Sequence, residues 1–298
     1  MRSQNGEETF LRDLCDGMTT VAVAIQGEAG SFSHAAALQA LGPDIRLVPC
    51  PTFEELFRAV EQREAARGAV PIENSLAGSV HQNYDLLGAH ALHVVAETQV
   101  RVRHCLIARP GTERAAIRRV ASHPVALAQC RKFFANHPDV VPVPAYDTAG
   151  SVRDLMAGRG RVAADAAIAS SLAAQLYGAT VLEEGLEDHA ENYTRFLMVA
   201  REPAPPDLAR KTSLVFTLPN APGSLHRALG VFAARGLDLT KIESRPLAGR
   251  PWEYAFYLDV VGDPRAGVAE ALAELRGLAR ELRILGSYPG SDIPVAKG

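Results

Sequence analysis

The strongest constraint on the fold is a pattern that repeats through the first two thirds of the chain. In each repeat a short apolar segment ends at a turn rich in glycine, hydroxyl or amide residues, and a helical segment follows. Residues 21–25 form the first apolar segment, and the small and hydroxyl residues at 26–33 predict a helix that ends before Gly42. Strands that alternate with helices predict an α/β fold, with parallel sheets covered by helices on both faces.

The same pattern extends to residue 200 and locates the other elements. Thr52 and Glu55 form a capping box for a helix that should end at Gly68. Residues 100–108 are long enough to cross from one lobe of the fold to another. Further strands are predicted at 69–72, 92–96, 120–121, 140–143, 161–164, 181–182 and 193–200. Further helices are predicted to run through residues 84–87, over 125–135, as far as residue 158, and over 166–177.

A second pattern begins after a proline-rich segment. Three of residues 203–206 are proline, so we interpret 201–211 as a linker between two domains. Beyond it the elements follow the order βαββαβ, which predicts an α+β ferredoxin-like domain over 212–290, next to the α/β domain over 21–200. Its strands are predicted at 212–218, 237–243, 254–261 and 283–287, and its helices at 223–235 and 268–275.

Composition and charge exclude several classes of protein. The 31 basic and 34 acidic residues leave a formal net charge of −3, so there is no basic excess to bind nucleic acid. The four cysteines contain no CxxC pair, which indicates neither a zinc site nor a disulfide framework and favours a reducing cytoplasm. The dinucleotide-binding motif GxGxxG does not follow the first strand. We expect neither a cofactor nor a metal. Residues 1–20 are acidic and lack an apolar segment, so we expect a poorly ordered tail rather than a signal peptide or membrane span.

Four polar turns at predicted helix starts suggest a binding cleft. Each presents backbone N–H groups at the positive end of a helix, where a carboxylate is favoured. A single turn of this kind is an ordinary helix cap, but four in one domain without a Walker-type lysine favour a site for a small dianion. The turns are Gly30 with Ser31, Asn74 with Ser75, Ser122 with His123, and Thr148 with Ala149 and Gly150.

Thr194 and Arg195 lie side by side at the start of the strand predicted at 193–200. Successive side chains of a strand point to opposite faces, so these two cannot face the same way. One can face a cleft while the other supports the layer behind it. Taken alone, Thr194 would be an ordinary strand threonine, but the polar turns favour a role in a site.

Four segments occur in a characteristic order: Pro71-Ile72-Glu73-Asn74-Ser75, Ser122-His123-Pro124 with Gln129-Cys130, Asp147-Thr148-Ala149 and Thr194-Arg195-Phe196. In this order they resemble bacterial prephenate dehydratase. The second domain is similar to the ACT regulatory module of those enzymes at Pro222-Gly223-Ser224-Leu225 and Glu243-Ser244-Arg245-Pro246. The resemblance covers about residues 21–289, and only the ordered set of segments is specific.

The resemblance implies a two-lobed catalytic domain, similar to type II periplasmic binding proteins, with the active cleft between the lobes. The implied reaction removes carbon dioxide and water from prephenate to give phenylpyruvate, on the route to phenylalanine. Thr194 is implied to assist departure of the hydroxide, with Asn74 and Gln129 as catalytic neighbours. The implied substrate-binding residues are Gly30, Ser31, Ser33, Glu73, Ser75, Ser122, Thr148, Ala149, Arg195 and Phe196.

Two positions depart from the family pattern. Val125 stands where the family commonly has glutamine, so a substrate contact there depends on Gln129 and backbone groups. Ser224 replaces the usual alanine of the regulatory module, and it is small enough to keep the close backbone approach.

The ACT module implies feedback inhibition by phenylalanine, bound between two copies of the domain in a homodimer or homotetramer. Glu243 is expected to take the ammonium group of phenylalanine, and the inhibited form should be more compact. The alternatives are an arogenate dehydratase, a small-acid sensor without catalysis and an ACT-regulated dehydrogenase. The implied phenylalanine site consists of Pro222, Gly223, Ser224, Leu225, Glu243, Ser244, Arg245 and Pro246.

Overall fold

The computed structural model describes residues 20–158, 163–247 and 249–291. Residues 1–19 of the predicted tail and residues 161–162 of a predicted strand lie outside these ranges. The described residues form three sheets, two of which belong to residues 21–200 and one to residues 211–288. No helix among them is long and apolar enough to cross a membrane, and no group of three or more possible metal ligands occurs among them.

The first lobe is built on a six-stranded sheet with strand order β2-β1-β3-β11-β5, in which β4 pairs with the end of β3. Its helices α1, α2 and α3 cover the sheet and bury apolar side chains such as Leu56 and Phe57 against it. The strands are β1 (Val21–Gln26), β2 (Ile45–Cys50), β3 (Arg67–Asn74), β4 (Gly78–Ser79), β5 (His93–Arg101) and β11 (Tyr193–Ala200), and the helices are α1 (Phe32–Leu41), α2 (Phe53–Glu61) and α3 (His81–Ala89).

The second lobe is built on a five-stranded sheet with strand order β10-β6-β9-β7-β8. The chain enters this lobe after β5 through residues 102–104 and returns to the first lobe before β11. The strands are β6 (Cys105–Ala108), β7 (Arg119–Ser122), β8 (Val141–Pro144), β9 (Ala166–Ala169) and β10 (Thr180–Glu184), and the helices are α4 (Pro124–Ala128), α5 (Arg131–Asn136), α6 (Thr148–Met156) and α7 (Ser171–Tyr177).

The prediction of parallel sheets is only partly correct. The pairs β1–β2, β1–β3, β7–β8 and β7–β9 are parallel, whereas β11 runs antiparallel to both β3 and β5. β6 also runs antiparallel to β9 and β10. The antiparallel pairs arise where the chain passes between the lobes, because β11 returns from the second lobe and enters the first sheet from the opposite end.

Three predicted helices differ from the structure for identifiable reasons. Residues 166–169, predicted as helix, form the strand β9, because three fully buried alanines and Ile168 fill the middle of the sheet and Ser170 caps α7 instead. The helix predicted at 125–135 is two helices, since Asp188 accepts from the backbone N–H groups of Arg131 and Lys132 and so starts α5 anew. The helix predicted to end at Gly68 ends at Glu61, and Arg63 adopts a left-handed conformation there.

The third sheet belongs to the predicted ferredoxin-like domain and has strand order β13-β14-β12-β15, with every pair antiparallel. Two helices pack on one face around Phe232 and Leu272. The elements follow the predicted βαββαβ order: β12 (Lys211–Thr217), α8 (Ser224–Ala233), β13 (Leu239–Pro246), β14 (Tyr254–Val261), α9 (Gly267–Leu278) and β15 (Glu281–Tyr288).

The open face of this third sheet packs directly on the first lobe. Tyr257 and Tyr288 share one apolar core with Tyr84 and Leu87 of α3. Gly286 lies so close to β5 that a Cβ added there would sit 2.0 Å from the carbonyl oxygen of Val94. The regulatory-type domain is therefore closely packed against the lobe that carries β3 and β11.

Candidate active site

Strands β3 and β11 place two polar side chains next to each other at one edge of the first lobe. Thr194 pairs with Asn74 in the antiparallel register, and the side chains of both residues remain partly exposed. The Nδ2 atom of Asn74 donates to the Oγ1 atom of Thr194 over 3.0 Å. This contact joins two of the three residues that the resemblance implies for catalysis.

The orientation of the Asn74 amide is fixed by the backbone that follows it. Its Oδ1 atom accepts from the N–H groups of Leu76 at 3.0 Å and Ala77 at 2.8 Å, so its Nδ2 atom is the donor toward Thr194. Since the Thr194 oxygen accepts this hydrogen bond, its own hydrogen is free to point elsewhere. The hydroxyl can therefore donate to a group in the cleft.

Gln129 comes from the second lobe and completes the cluster. Asn192 accepts from Asn74 over 2.7 Å and donates from its Nδ2 atom to the Oε1 atom of Gln129 over 3.1 Å. The Nε2 atom of His104 lies 2.9 Å from the same Gln129 oxygen. Asn74, Gln129 and Thr194, which are far apart in the sequence, thus meet in one hydrogen-bonded group.

The turn after β1 meets the second lobe at the start of α7. Ser31 caps α1, and the carbonyl oxygen of Gly30 accepts from the Ser170 hydroxyl over 2.5 Å. A Cβ on Gly30 would lie 2.7 Å from the Cα atom of Ala173, so this glycine allows the lobes to approach. Ser33 lies in the first turn of α1 and is buried.

The start of α6 faces the same turn from the other side. Asp147 caps α6 by accepting from the N–H of Gly150 over 2.6 Å, and Thr148 and Ala149 form the first turn. A Cβ on Gly27 would lie 2.7 Å from an Asp147 carboxylate oxygen. Burial and the nearby negative charge of Glu28 raise the pKa of Asp147, and the backbone hydrogen bonds lower it. The net effect is a pKa above the ordinary value. The N-termini of α1, α6 and α7 therefore gather between the lobes.

A ring contact connects these helix ends to the rest of the site, and two contacts at Glu28 bridge the lobes. The ring of Phe32, at the start of α1, lies edge-on to His104 with 5.7 Å between centroids. At the outer edge, Glu28 of the first lobe pairs with Arg153 of the second at 2.6 Å and accepts from Tyr146 at 3.1 Å. The helix ends and the Thr194 cluster thus lie along one cleft between the lobes.

Five of the predicted binding side chains are not brought into this cluster: those of Ser75, Ser122, Phe196, Arg195 and Glu73. The Ser75 hydroxyl joins the end of β3 to residues 191 and 193, and the buried Ser122 hydroxyl donates to the carbonyl of Ile168. Phe196 is part of the apolar core of the first lobe. Arg195, on the opposite face of β11 from Thr194, points into the interface with the third sheet.

Arg195 is surrounded by carboxylates at that interface. It pairs with Glu97 at 2.6 Å, with Asp259 of the third sheet at 2.6 Å, and with Glu73 at 3.5 Å. Lys211 of the third sheet pairs with the same Glu97 at 2.9 Å. Burial lowers the pKa of Arg195, but these negative charges outweigh it and raise that pKa well above its ordinary value. Arg195 and Glu73 therefore hold the two domains together.

The implied phenylalanine residues lie in two separate places. Gly223 adopts a left-handed conformation before α8, beside Pro222, and Ser224 and Leu225 border a cavity of about 140 Å³ with Trp252 and Tyr254. Glu243 accepts from Ser79 of the first lobe over 2.6 Å, and Arg245 pairs with Asp85 of α3 at 2.8 Å. Ser244 and Pro246 lie on β13 with them. Within the described part of the chain no hydrogen bond or ion pair joins the two motifs.

Several residues of the site were missed in the sequence. Asn192 could have been found, because it lies two positions before Thr194 and the period of a strand places both on one side. No sequence signal indicated His104, Glu97, Lys211 or Asp259. Their partners are distant in the chain, so only the fold reveals them.

The described residues form a two-lobed α/β domain with helix N-termini and a polar cluster gathered between its lobes, and this domain carries a ferredoxin-like domain. Residues 23–204 match the prephenate dehydratase family and residues 212–278 match the ACT domain. The chain belongs to the prephenate dehydratase family. Its activity is therefore the decarboxylating dehydration of prephenate to phenylpyruvate.

Known proteins similar to the chain include plant enzymes and proteins of solved structure. Arogenate dehydratase/prephenate dehydratase 2 of Arabidopsis thaliana is 45% identical over 90% of this chain and 73% of its own length. Arogenate dehydratase 1 of Petunia hybrida is 44% identical over 93% of this chain and 68% of its own length. The structure of prephenate dehydratase from Arthrobacter aurescens with L-Phe has a TM-score of 0.81 at 36% identity and covers 90% of both chains. GqqA, described as a novel type of quorum quenching acylase, also has a TM-score of 0.81, at 38% identity over 91% of this chain and 98% of its own.

Proposed function

We propose that Thr194 promotes the reaction by donating a hydrogen bond to the C4 hydroxyl of prephenate as it departs. The observation that supports this role is the fixed amide of Asn74, which occupies the Thr194 oxygen as an acceptor and leaves its hydrogen free. Loss of the hydroxyl and the ring carboxylate makes the ring aromatic, so the substrate supplies the driving force. An alcohol is a poor general acid near neutral pH, and Thr194 therefore acts as a donor or a relay rather than as the ultimate proton source.

The two substrate carboxylates find separate donors in the proposed complex. The Oε1 atom of Gln129 takes the contacts from Asn192 and His104. Its Nε2 atom has no hydrogen-bond partner among the described residues and is therefore available to the substrate. The N-termini of α1 and α6 provide backbone N–H groups and a positive partial charge. A preorganised donor aimed at a developing anion typically contributes about 2.7–4 kcal/mol. Placement and charge stabilisation are then sufficient for this reaction.

We further propose that prephenate is preferred over arogenate, its amino analogue. An ammonium group in the cleft would need a free carboxylate beside the helix ends. The two carboxylates nearest to them are occupied, since Glu28 pairs with Arg153 and Asp147 caps α6. The site therefore fits the keto acid better than the amino acid.

A side-by-side assay tests this function. Purified protein is incubated with prephenate or with arogenate, and phenylpyruvate and phenylalanine are measured as the respective products. A kcat/KM at least tenfold higher for prephenate is expected. A higher value for arogenate would reverse the substrate assignment, and binding of prephenate without turnover would identify a sensor rather than an enzyme.

Regulation by phenylalanine is proposed to depend on Glu243. The complex of the Arthrobacter aurescens relative with L-Phe supports phenylalanine as the ligand. Glu243 is the carboxylate of the second motif. It accepts from Ser79 and pairs with Lys241, and in the proposed complex the ammonium group of phenylalanine replaces the Lys241 contact. Because the two motifs lie apart in one chain, the site is proposed to form between two copies, in a homodimer or homotetramer. Apolar side chains exposed on this domain, Ile242 and Trp252, support such pairing.

Replacing Glu243 with glutamine should therefore weaken inhibition by phenylalanine. We expect the concentration for half-inhibition to rise at least tenfold, because the ammonium group loses its charged partner. The readout is the ratio of activity with and without phenylalanine, together with the sedimentation coefficient. Glu270→Gln, at an exposed position on α9 of the same domain, is the matched control. Equal sensitivity in both variants would contradict the assignment of Glu243.

We also propose that the protein is of bacterial origin and is located in the cytoplasm. The described cysteines Cys50, Cys105 and Cys130 are free and buried, which fits a reducing compartment. The Arthrobacter aurescens relative supports a bacterial source, whereas the Arabidopsis thaliana relative is chloroplastic by name.

A further inference from the structure

A chain of side-chain amides runs from Thr194 to His104, and its direction is fixed at the Thr194 end. Two backbone N–H groups hold the Asn74 oxygen, so Asn74 donates to the oxygen of Asn192. Asn192 must then use its Nδ2 atom as the donor to Gln129. The Gln129 oxygen is consequently an acceptor, and the amide N–H groups of Gln129 remain for the cleft.

The same chain determines where His104 carries its proton. Its Nε2 atom faces the Gln129 oxygen at 2.9 Å, so Nε2 is the donor. The Nδ1 atom is buried and has no hydrogen-bond partner among the residues that the structure describes. A proton on Nδ1 would be a buried N–H without an acceptor, which is costly. The geometry thus selects the neutral form with hydrogen on Nε2.

His104 is itself firmly held at the passage between the lobes. Its backbone N–H donates to the Glu187 carboxylate over 2.8 Å, and its carbonyl accepts from the N–H of Leu186 over 3.0 Å. The ring contacts Phe32 of α1 edge-on, and the residue is only 1% exposed. A ring fixed in this way can act as a rigid support for a neighbouring side chain.

We propose that His104 is a positioning residue for the dehydratase reaction. Its Nε2–H holds the Gln129 oxygen, so that the Gln129 amide hydrogens face a substrate carboxylate. If the amide turned over, its oxygen would meet that carboxylate instead and repel it. The proposal rests on the proposed role of Gln129 as a donor to prephenate and assigns His104 an effect only through Gln129.

A double-mutant cycle tests this role. His104→Leu removes the donor and should lower kcat/KM for prephenate about 10–100-fold, with most of the change in KM, because the carboxylate contact is made before and during reaction. In a Gln129→Ala background the same substitution should change kcat/KM less than about twofold. His137→Leu, at a partly buried histidine of the second lobe, is the control for general loss of packing. Equal effects of His104→Leu in both backgrounds would overturn the proposal.

A second pair of variants covers the case in which His104→Leu does not fold. Glutamine can place an N–H near the Nε2 position, whereas asparagine is too short and reaches only the Nδ1 position. We expect His104→Gln to be at least fivefold more active than His104→Asn, and the reverse order would contradict the role of Nε2.

The tautomer gives a readout that does not depend on turnover. Imidazole ¹⁵N NMR of the wild-type protein should show His104 protonated at Nε2 and bare at Nδ1, and a proton on Nδ1 would overturn the placement. If the tautomer is as expected but prephenate is not converted, the proposed function fails and the placement of His104 stands.

Discussion

Replacing Thr194 with valine is expected to reduce kcat for prephenate by about 10²–10³-fold. Valine has nearly the shape of threonine, so the strand and its packing are retained while the hydroxyl donor is lost. Asn74 also loses the acceptor that it contacts at 3.0 Å. Serine keeps a hydroxyl at this position, and Thr194→Ser should retain at least tenfold more activity than Thr194→Val. Phenylpyruvate formation at saturating prephenate measures both variants.

A matched control separates this effect from a change in strand stability. Thr180 begins β10 and is exposed, so Thr180→Val makes the same chemical change away from the cleft. Its kcat should stay within about twofold of the wild-type value. Equal losses in Thr194→Ser and Thr194→Val would show that the hydroxyl is not the functional group.

Replacing Glu97 with glutamine is expected to destabilise the protein by about 3–5 kcal/mol. The Glu97 side chain is fully buried between Arg195 and Lys211, at 2.6 Å and 2.9 Å. Glutamine keeps the size of the side chain but leaves two buried cations short of a counter-charge. Because Lys211 belongs to the third sheet, the loss should separate the regulatory domain from the first lobe. Urea denaturation followed by tyrosine fluorescence and circular dichroism measures the change in the midpoint.

The acid stability of the wild-type protein should depend on the same carboxylate. Burial raises the pKa of Glu97, but the charges of Arg195 and Lys211 and the hydrogen bonds outweigh it, so the pKa lies below its ordinary value. A carboxyl group with a lowered pKa in the folded state stabilises it above the unfolded pKa of about 4.3 and loses this contribution as pH falls further. Stability should therefore drop below about pH 4 in the wild type and less steeply in Glu97→Gln. Glu274→Gln, at an exposed ion pair with Arg235, is the control and should follow the wild-type curve.

Successive side chains of β3 and β11 point in turn to the cleft and to the regulatory domain, and this alternation links the predictions for Thr194 and Glu97. Asn74 and Thr194 face the cleft, whereas their neighbours Glu73 and Arg195 face the regulatory domain. Lys241 of the third sheet reaches Glu73 at 2.6 Å. A change in the packing of the regulatory domain is thus one residue away from Asn74 on β3 and from Thr194 on β11.

Much of the fold follows from local patterns in the sequence. The capping residues Ser31, Thr52 and Asp147 lie at helix starts, and the βαββαβ order of the second domain is confirmed. Residues 166–169 could not be assigned locally, because three of them are alanine, which favours a helix, and only burial within the sheet makes them a strand. The direction of β11 depends on the return from the second lobe, which no local pattern encodes.

The resemblance indicates some residues of the candidate site, whereas residues whose partners are distant in the chain carry no signal in the sequence. Thr194, Asn74 and Gln129 were assigned through resemblance, and the structure brings them into one hydrogen-bonded group. His104 and Glu97 act through contacts with residues from other parts of the chain. Hydrogen bonds and ion pairs of this kind depend on the tertiary fold, so a sequence pattern does not show them.

A crystal structure of Thr194→Val with bound prephenate tests the account most directly, because the slow variant should retain its substrate. The C4 hydroxyl should lie beside residue 194, and a carboxylate should lie about 3 Å from the Nε2 atom of Gln129. Prephenate bound outside the cleft between the lobes, or bound with its C4 hydroxyl directed away from residue 194, would contradict the account.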